Sequence, residues 1–121
     1  MQIHISAVHS GEEVSYLAEV CNHRGAVVDA FTDAPTGTVS GPTGPRAEDK
    51  HMVLAHLAGK CDCVTLADGQ LTGYNTRCQL FAVREEKGVA TWESCLDLPP
   101  SIVLELLASL LRLLNWYADE A

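Results

Sequence analysis

Between Gln2 and Val8 the chain alternates, with Ile3, Ile5 and Ala7 on one side and His4 and Ser6 on the other. That two-residue period predicts a half-buried strand. Residues 12–24 admit two readings. Ser10-Gly-Glu-Glu13 resembles a capping box, Val14, Leu17 and Cys21 follow at helical spacing, and Gly25 stands where such a helix would end. The same residues alternate as a strand, with Val14, Tyr16, Ala18 and Val20 on one face. Asn22-His-Arg-Gly25 is then a hairpin turn into a returning strand, Ala26–Thr32. Local signals alone lean towards the helix. Pro35–Pro45, rich in Pro, Gly and Thr, reads as a loop, long enough for a compact domain that it either moves or covers a site.

A short amphipathic helix is predicted over Glu48–Ala58, with acidic residues in its first turn and Gly59 at its end. An apolar run, Cys61–Ala67, reads as a strand, and Asp68-Gly-Gln-Leu-Thr-Gly73 as a glycine-bearing turn. A second helix is expected over Thr72–Lys87, with Arg84 and Lys87 near its carboxyl end and Gly88 beyond, then a strand from Val89. Strand, glycine loop, helix and strand make a βαβ unit, in which the loop opens onto a helix amino end that suits small anions. The last helix follows Leu98-Pro-Pro-Ser101 and runs from Ile102 to Leu114. Glu105, Ser109, Arg112 and Asn115 form one narrow polar stripe on it. The remaining apolar surface exceeds what packing on one sheet face needs, which points to a partner, most simply a second copy in a homodimer.

The 121 residues form one domain, 1–121, large enough for a single core. Sixteen acidic against eight basic side chains leave a formal charge of −8, which repels nucleic acid and anionic lipid. The amino-terminal residues lack a signal-peptide pattern, and the run Ile102–Leu114 is too short for a bilayer and carries two charges. Five cysteines, unpaired by any secreted-scaffold spacing, point to a cytoplasmic protein with reduced thiols.

Candidate chemistry is sparse. Cys61 and Cys63, two apart on one predicted strand, share a face as soft-metal ligands would, or lie in the core. Cys78 shares a helical face with Tyr74 and Phe81, which favours core packing. His51 and His56 are five apart and do not share a face, so a joint metal site is not expected. His51 alone opens a helix directly after the long loop, as a ligand for metal or anion or as a solvated side chain. His4, His9 and His23 read as surface or strand-end residues. The Gly69–Gly73 loop has neither a dinucleotide fingerprint nor a Gly-Lys-Ser/Thr ending, yet its amides could hold an anion with Arg77 one turn in, or form a plain turn. No Ser/His/Asp order, nucleophile elbow or carboxylate pair argues for an enzyme. A cysteine-based redox enzyme ranks last, because no activating base or resolving pair is evident.

This order of features resembles the dinitrogenase iron–molybdenum cofactor-binding family, small carriers with a ribonuclease-H-like fold. Met1–Val8 is similar to its opening strand, and Tyr16–Val20, Asn22–Gly25 and Ala26–Phe31 to its hairpin. Glu48–Leu57 is similar to the helix after its variable loop. Cys61–Leu66, Gly69, Gly73 and Lys87-Gly-Val89 are similar to its strand, glycine loop, helix and final strand, and Asp97–Leu114 to its closing helix. The family's His-Phe-Gly motif is missing, since Val8-His-Ser-Gly11 leads directly to Glu12 and Glu13. The resemblance implies an α/β domain with a mixed sheet flanked by helices on both faces, in the order β-β-β-α-β-α-β-α, and makes residues 12–24 a strand. It implies a non-enzymatic carrier or insertion protein for an iron–sulfur metal cluster in nitrogenase-type cofactor assembly. The cargo would be the iron–molybdenum cofactor or its iron–sulfur precursor, and the partners nitrogenase components or cofactor-assembly proteins. His51, Gly69, Thr72, Gly73 and Arg77 would bind the cofactor, with His51, Cys61 and Cys63 as metal ligands. The competing reading is a metal-free interaction or regulatory module that docks through the leucine-rich carboxyl-terminal helix.

Overall fold

The first two strands, β1 (Gln2–Ser10) and β2 (Glu13–Cys21), form the hairpin that the strand reading of residues 12–24 requires, paired from Gln2↔Cys21 to Ser10↔Glu13. The structure, a computed structural model, describes residues 1–36 and 39–120. Helical spacing at Val14, Leu17 and Cys21 loses because β2 gains a strand on each side. The next strand, β3 (Val27–Thr32), returns through an Asn22–Ala26 turn in which the Asn22 carboxamide accepts from the Arg24 and Ala26 amides. Part of the expected long loop is a small hairpin of β4 (Pro35–Thr36) and β5 (Val39–Ser40); residues 37 and 38 of that loop lie outside the described residues. Helix α1 (Ala47–Leu57) follows and stops before Gly59, as expected.

The second half departs from expectation. The apolar run becomes β6 (Cys63–Ala67), and the stretch read as a helix over Thr72–Lys87 is two strands, β7 (Gln70–Tyr74) and β8 (Gln79–Glu86), followed by β9 (Val89–Ser94). Two turns decide this. Asp68-Gly69 and Lys87-Gly88 both have positive φ at each central residue (53° and 72°, 53° and 78°), the geometry of two-residue hairpins whose twist matches the flanking strands. Between them, the Asn75 side chain accepts from the Arg77 and Cys78 amides and turns β7 into β8. Gly73 serves the strand rather than a loop: a Cβ there would lie 2.2 Å from the Phe81 ring.

The main sheet is antiparallel throughout, in the order β3-β2-β1-β6-β7-β8-β9. The expected mixed sheet, the helices on both faces and the order β-β-β-α-β-α-β-α are therefore corrected. Both helices, α1 and α2 (Pro100–Glu120), join one core cluster with Ile3, Ile5, Ala18, Val20, Phe31, Val64, Leu71 and Phe81, all on one side of the sheet. A parallel βαβ sheet needs cover on both faces, whereas an antiparallel sheet does not.

Helix α2 has 21 residues, longer than the predicted run, and by length and composition alone it could cross a membrane. Here Val103, Leu106, Leu107, Leu110, Leu113 and Leu114 are all buried in the core. Burial of each such side chain contributes about 1.5–3 kcal/mol. The apolar breadth that suggested a docking helix is thus largely spent inside the chain, because α2 meets the sheet on one side and α1 on another. Leu104 stays exposed.

One polar cluster ties the layers together. The Asp29 carboxylate on β3 accepts from the Tyr117 hydroxyl of α2 and sits 3.4 Å from Lys50 Nζ of α1, which also lies 5.6 Å from the centre of the Phe31 ring. Partial burial works to raise the Asp29 carboxyl. Hydrogen bonds from Tyr117 and the Ala30 amide, together with the Lys50 charge, outweigh it and hold the group below its ordinary value. Burial and the same carboxylate push the Tyr117 phenol well above its ordinary value of 10.0. A second pair, Arg112 Nη2 to Asp49 Oδ1 at 2.9 Å, joins α2 to α1, with Ser109 accepting from the same guanidinium.

Four outcomes follow from this packing. Asp29→Ala leaves a buried ammonium unpaired and costs about 3 kcal/mol in urea unfolding, the low end for such a loss because Asp29 keeps 36% of its side-chain surface. Stability in the wild type falls as pH drops through the depressed Asp29 value, and falls again above pH 10, where the unfolded tyrosine ionises and the folded one does not. In Tyr117→Phe the alkaline loss is blunted, and about 1.5 kcal/mol is missing at neutral pH. Gly73→Ala, forced against Phe81, lowers stability by about 1–3 kcal/mol; an unchanged melting curve would contradict the packing described.

Candidate functional site

The sheet face opposite the helices is a broad surface that the fold leaves open. Strand register defines its rows, because directly opposed residues share a face. One row runs Glu19–His4–Cys63–Tyr74–Gln79 and a second runs Cys21–Gln2–Thr65–Thr72–Ala82–Glu93. A third, Gln70–Arg84–Thr91, closes the β9 side. Across β6, β7 and β8 the middle of this face carries Cys63, Thr65, Thr72, Tyr74 and Ala82, none of them charged; Cys63 and Ala82 lie buried beneath their neighbours, Thr65 and Thr72 are half-buried, and Tyr74 is exposed. Glu19, His4, Arg84 and Glu93 stand around it.

A few polar contacts link the side chains of this face. Cys63 Sγ lies 3.8 Å from Thr65 Oγ1, and the thiol beside Tyr74 keeps that phenol protonated above its ordinary range, with the Thr65 hydroxyl working in the other direction. His4 Nε2 is 3.0 Å from Gln2 Oε1, so the imidazole opposite Cys63 is engaged along its own strand. No contact pairs it with the thiol among the described residues. The arrangement has the parts of a cysteine–histidine site without the bond that would activate a nucleophile. Towards β9, a groove of about 420 Å³ is lined by Gln70, Gln79, Ala82, Arg84, Thr91, Trp92 and Glu93. Gln79 Nε2 donates to Glu93 Oε1 at 3.2 Å across it.

The residues singled out from the sequence do not converge. His51 is exposed on α1 and lies over Gly41, where an added Cβ would come within 2.3 Å of its ring; a small cavity of about 170 Å³ there is lined by Asp33, Pro42 and Leu54 as well. That corner adjoins β3. Gly69 is at the tip of the β6–β7 hairpin, between three and four strand spacings away across the sheet, about 14–19 Å. The hairpin tip is also at the opposite end of the strands, beside Met1, whose carbonyl accepts from the Leu66 amide. Gly69 opens no helix, so no helix amino end faces an anion there. Gly73 is covered by Phe81, and Thr72 belongs to the open surface. Arg77 is exposed in the Asn75–Cys78 turn.

Cys61 and Cys63 do not share a face. The strand begins at Cys63, so Cys61 precedes it and lies in the core, its thiol donating to the Cys63 and Tyr74 carbonyls. Burial pushes the Cys61 thiol up to about 11. Cys78, expected in the core, is exposed beside Asn75, because the helix that would have turned it inward does not form. His4, His9 and His23 are exposed as expected. No group of three or more His, Cys, Asp or Glu side chains with metal-holding geometry occurs among the described residues.

Comparisons of the chain with family models, with curated proteins and with solved structures find no match.

The five unbridged thiols divide by exposure. A thiol-titrating disulfide reagent at mildly alkaline pH should react rapidly with Cys78 and Cys95, while Cys21, Cys61 and Cys63 wait for unfolding. Rapid modification of Cys61 in the folded protein, read by peptide mass mapping, would contradict its placement.

Proposed function

We propose that this protein is a non-enzymatic interaction module that receives a protein partner on the helix-free face of its sheet. The observation that carries this reading is the uncharged centre spanning β6, β7 and β8, with Tyr74 in it and charged side chains placed around it. Depletion of charge at the core, with aromatic enrichment and a polar rim, is the compositional mark of a protein interface. This keeps the interaction-module reading and moves its surface, since the α2 leucines are committed to the core.

Carriage of an iron–sulfur cluster draws no support from this geometry. His51, the Gly69–Gly73 segment and Arg77 stand apart, and Cys61 and Cys63 are directed to different sides of the sheet. A cluster needs several soft ligands within one coordination sphere.

Partner binding is measured with the full chain by cross-linking in its native cell, followed by affinity measurement with the protein so identified. Thr72→Arg sets a charge in the middle of the face and should weaken binding by about tenfold or more, a loss of about 1.4 kcal/mol or greater. Leu104→Lys, on the exposed side of α2, should leave it unchanged. Equal binding by Thr72→Arg, or loss of binding with Leu104→Lys, would overturn the assignment.

A further inference from the structure

We propose that two copies of this chain join edge to edge through β9, in an antiparallel pairing centred on Trp92, to give one continuous sheet with both helix-free faces on the same side. The sheet has two outer strands, and they differ in protection. β3 follows a register irregularity in its pairing with β2 and has its Asp29 held by Tyr117 and Lys50. β9 pairs with β8 without irregularity, contains no proline or lysine, and exposes Val89 and Trp92 at 63% and 43%. Natural edges are usually blunted by those missing devices, and an unblunted one is a template for another strand.

Backbone polarity then selects the register. The Cys95 amide donates to the Leu80 carbonyl, which makes Ser94↔Phe81 a non-hydrogen-bonded pair. By alternation, Val89, Thr91 and Glu93 direct their backbone groups at β8, and Ala90, Trp92 and Ser94 direct theirs outward. A two-fold axis normal to the sheet keeps each face on its own side, so the pairing must centre on a residue of the strand. Centring on Glu93 opposes the two glutamates. Centring on Thr91 places inward-bonded residues at the axis and leaves fewer outward groups matched. Centring on Trp92 opposes Trp92 to its copy and Ala90 to Ser94 of the second copy on both sides. Every outward N–H and C=O of the strand then finds a partner, two bonds to each pair.

Side chains agree with that register. The two Trp92 rings meet as a cross-strand aromatic pair. On the helix-free side, Glu93 of the second copy falls opposite Thr91, which already pairs with Arg84. Arg84, Thr91 and the second copy's Glu93 form one row, and the guanidinium and carboxylate reach each other over the small threonine, from backbones about 9.5 Å apart. The pairing is self-complementary in charge, so a second copy is the occupant. The roughly 420 Å³ groove beside β9 becomes part of the middle of the joint surface.

Sedimentation velocity and light scattering across a concentration series test this with the full chain. The wild type should run as a dimer of the 13.0 kDa chain. Ala90→Pro removes an outward N–H and no bond within the chain, and should yield a monomer with unchanged circular dichroism and melting temperature. Arg84→Glu should raise the dissociation constant about tenfold, and adding Glu93→Arg should restore it, because the pair is then reversed in both copies. Thr72→Arg, which disables the proposed partner face, should remain dimeric, so the two proposals fail separately. A wild type that stays monomeric, an Ala90→Pro protein that still dimerises, or a charge reversal that does not recover would each overturn the β9 pairing.

Discussion

The antiparallel sheet is buried on one side, and the burial there is done mostly by a single helix. The leucines of α2, with α1 beside them, cover Ile3, Ile5, Val20, Val64, Leu71 and Phe81, and among the described residues no helix lies on the reverse side. Because side chains alternate across a strand, committing those residues to the helices commits His4, Cys63, Thr65, Thr72 and Tyr74 to the opposite surface. A one-residue slip would exchange the two sets and place threonines under the leucines. The character of the open surface is therefore a consequence of how the core is built, and the two cannot vary independently.

Asp29 gives that arrangement its orientation. A layer of leucines on a flat face is compatible with several helix positions, since hydrophobic contact has no direction. The carboxylate of β3, gripped by Tyr117 near the carboxyl end of α2 and by Lys50 near the amino end of α1, picks one. The Arg112–Asp49 pair then sets the helices against each other. Such groups define a single packing more than they add net stability.

Much of the first half of the fold is legible in the sequence. Strand alternation at Gln2–Val8 and the acidic start of α1 are local signals, and each corresponds to an element, whereas the Asn22–Gly25 turn belongs to the strand reading of residues 12–24, against which local signals lean and which pairing of β2 with both β1 and β3 decides. The stretch Thr72–Lys87 was not legible in the same way. Its apolar run Leu80-Phe-Ala-Val83 has no period that separates a buried strand from a helix. The arbiters were Asp68-Gly69 and Lys87-Gly88, which as hairpin signals outrank a reading of the second glycine as a helix cap. With that helix replaced by two strands, the Gly69–Gly73 segment is a hairpin turn and strand and offers no helix amino end for an anion. The surface itself depends on register between segments as distant as His4, Cys63 and Tyr74, and nothing local to any of the three announces the others.

The β1–β2 hairpin runs on past Ala7 and Tyr16, beyond where β3 and β6 stop, with Val8 and Val14 exposed at 43% and 47%. Among the described residues it has neither a third strand beside it nor a helix beneath it out there. A two-stranded ribbon of this kind holds itself together by its own ladder and little else. Its opening therefore draws on a much smaller free energy than global unfolding does, and the ribbon can fray and re-form while the seven-stranded body stays intact.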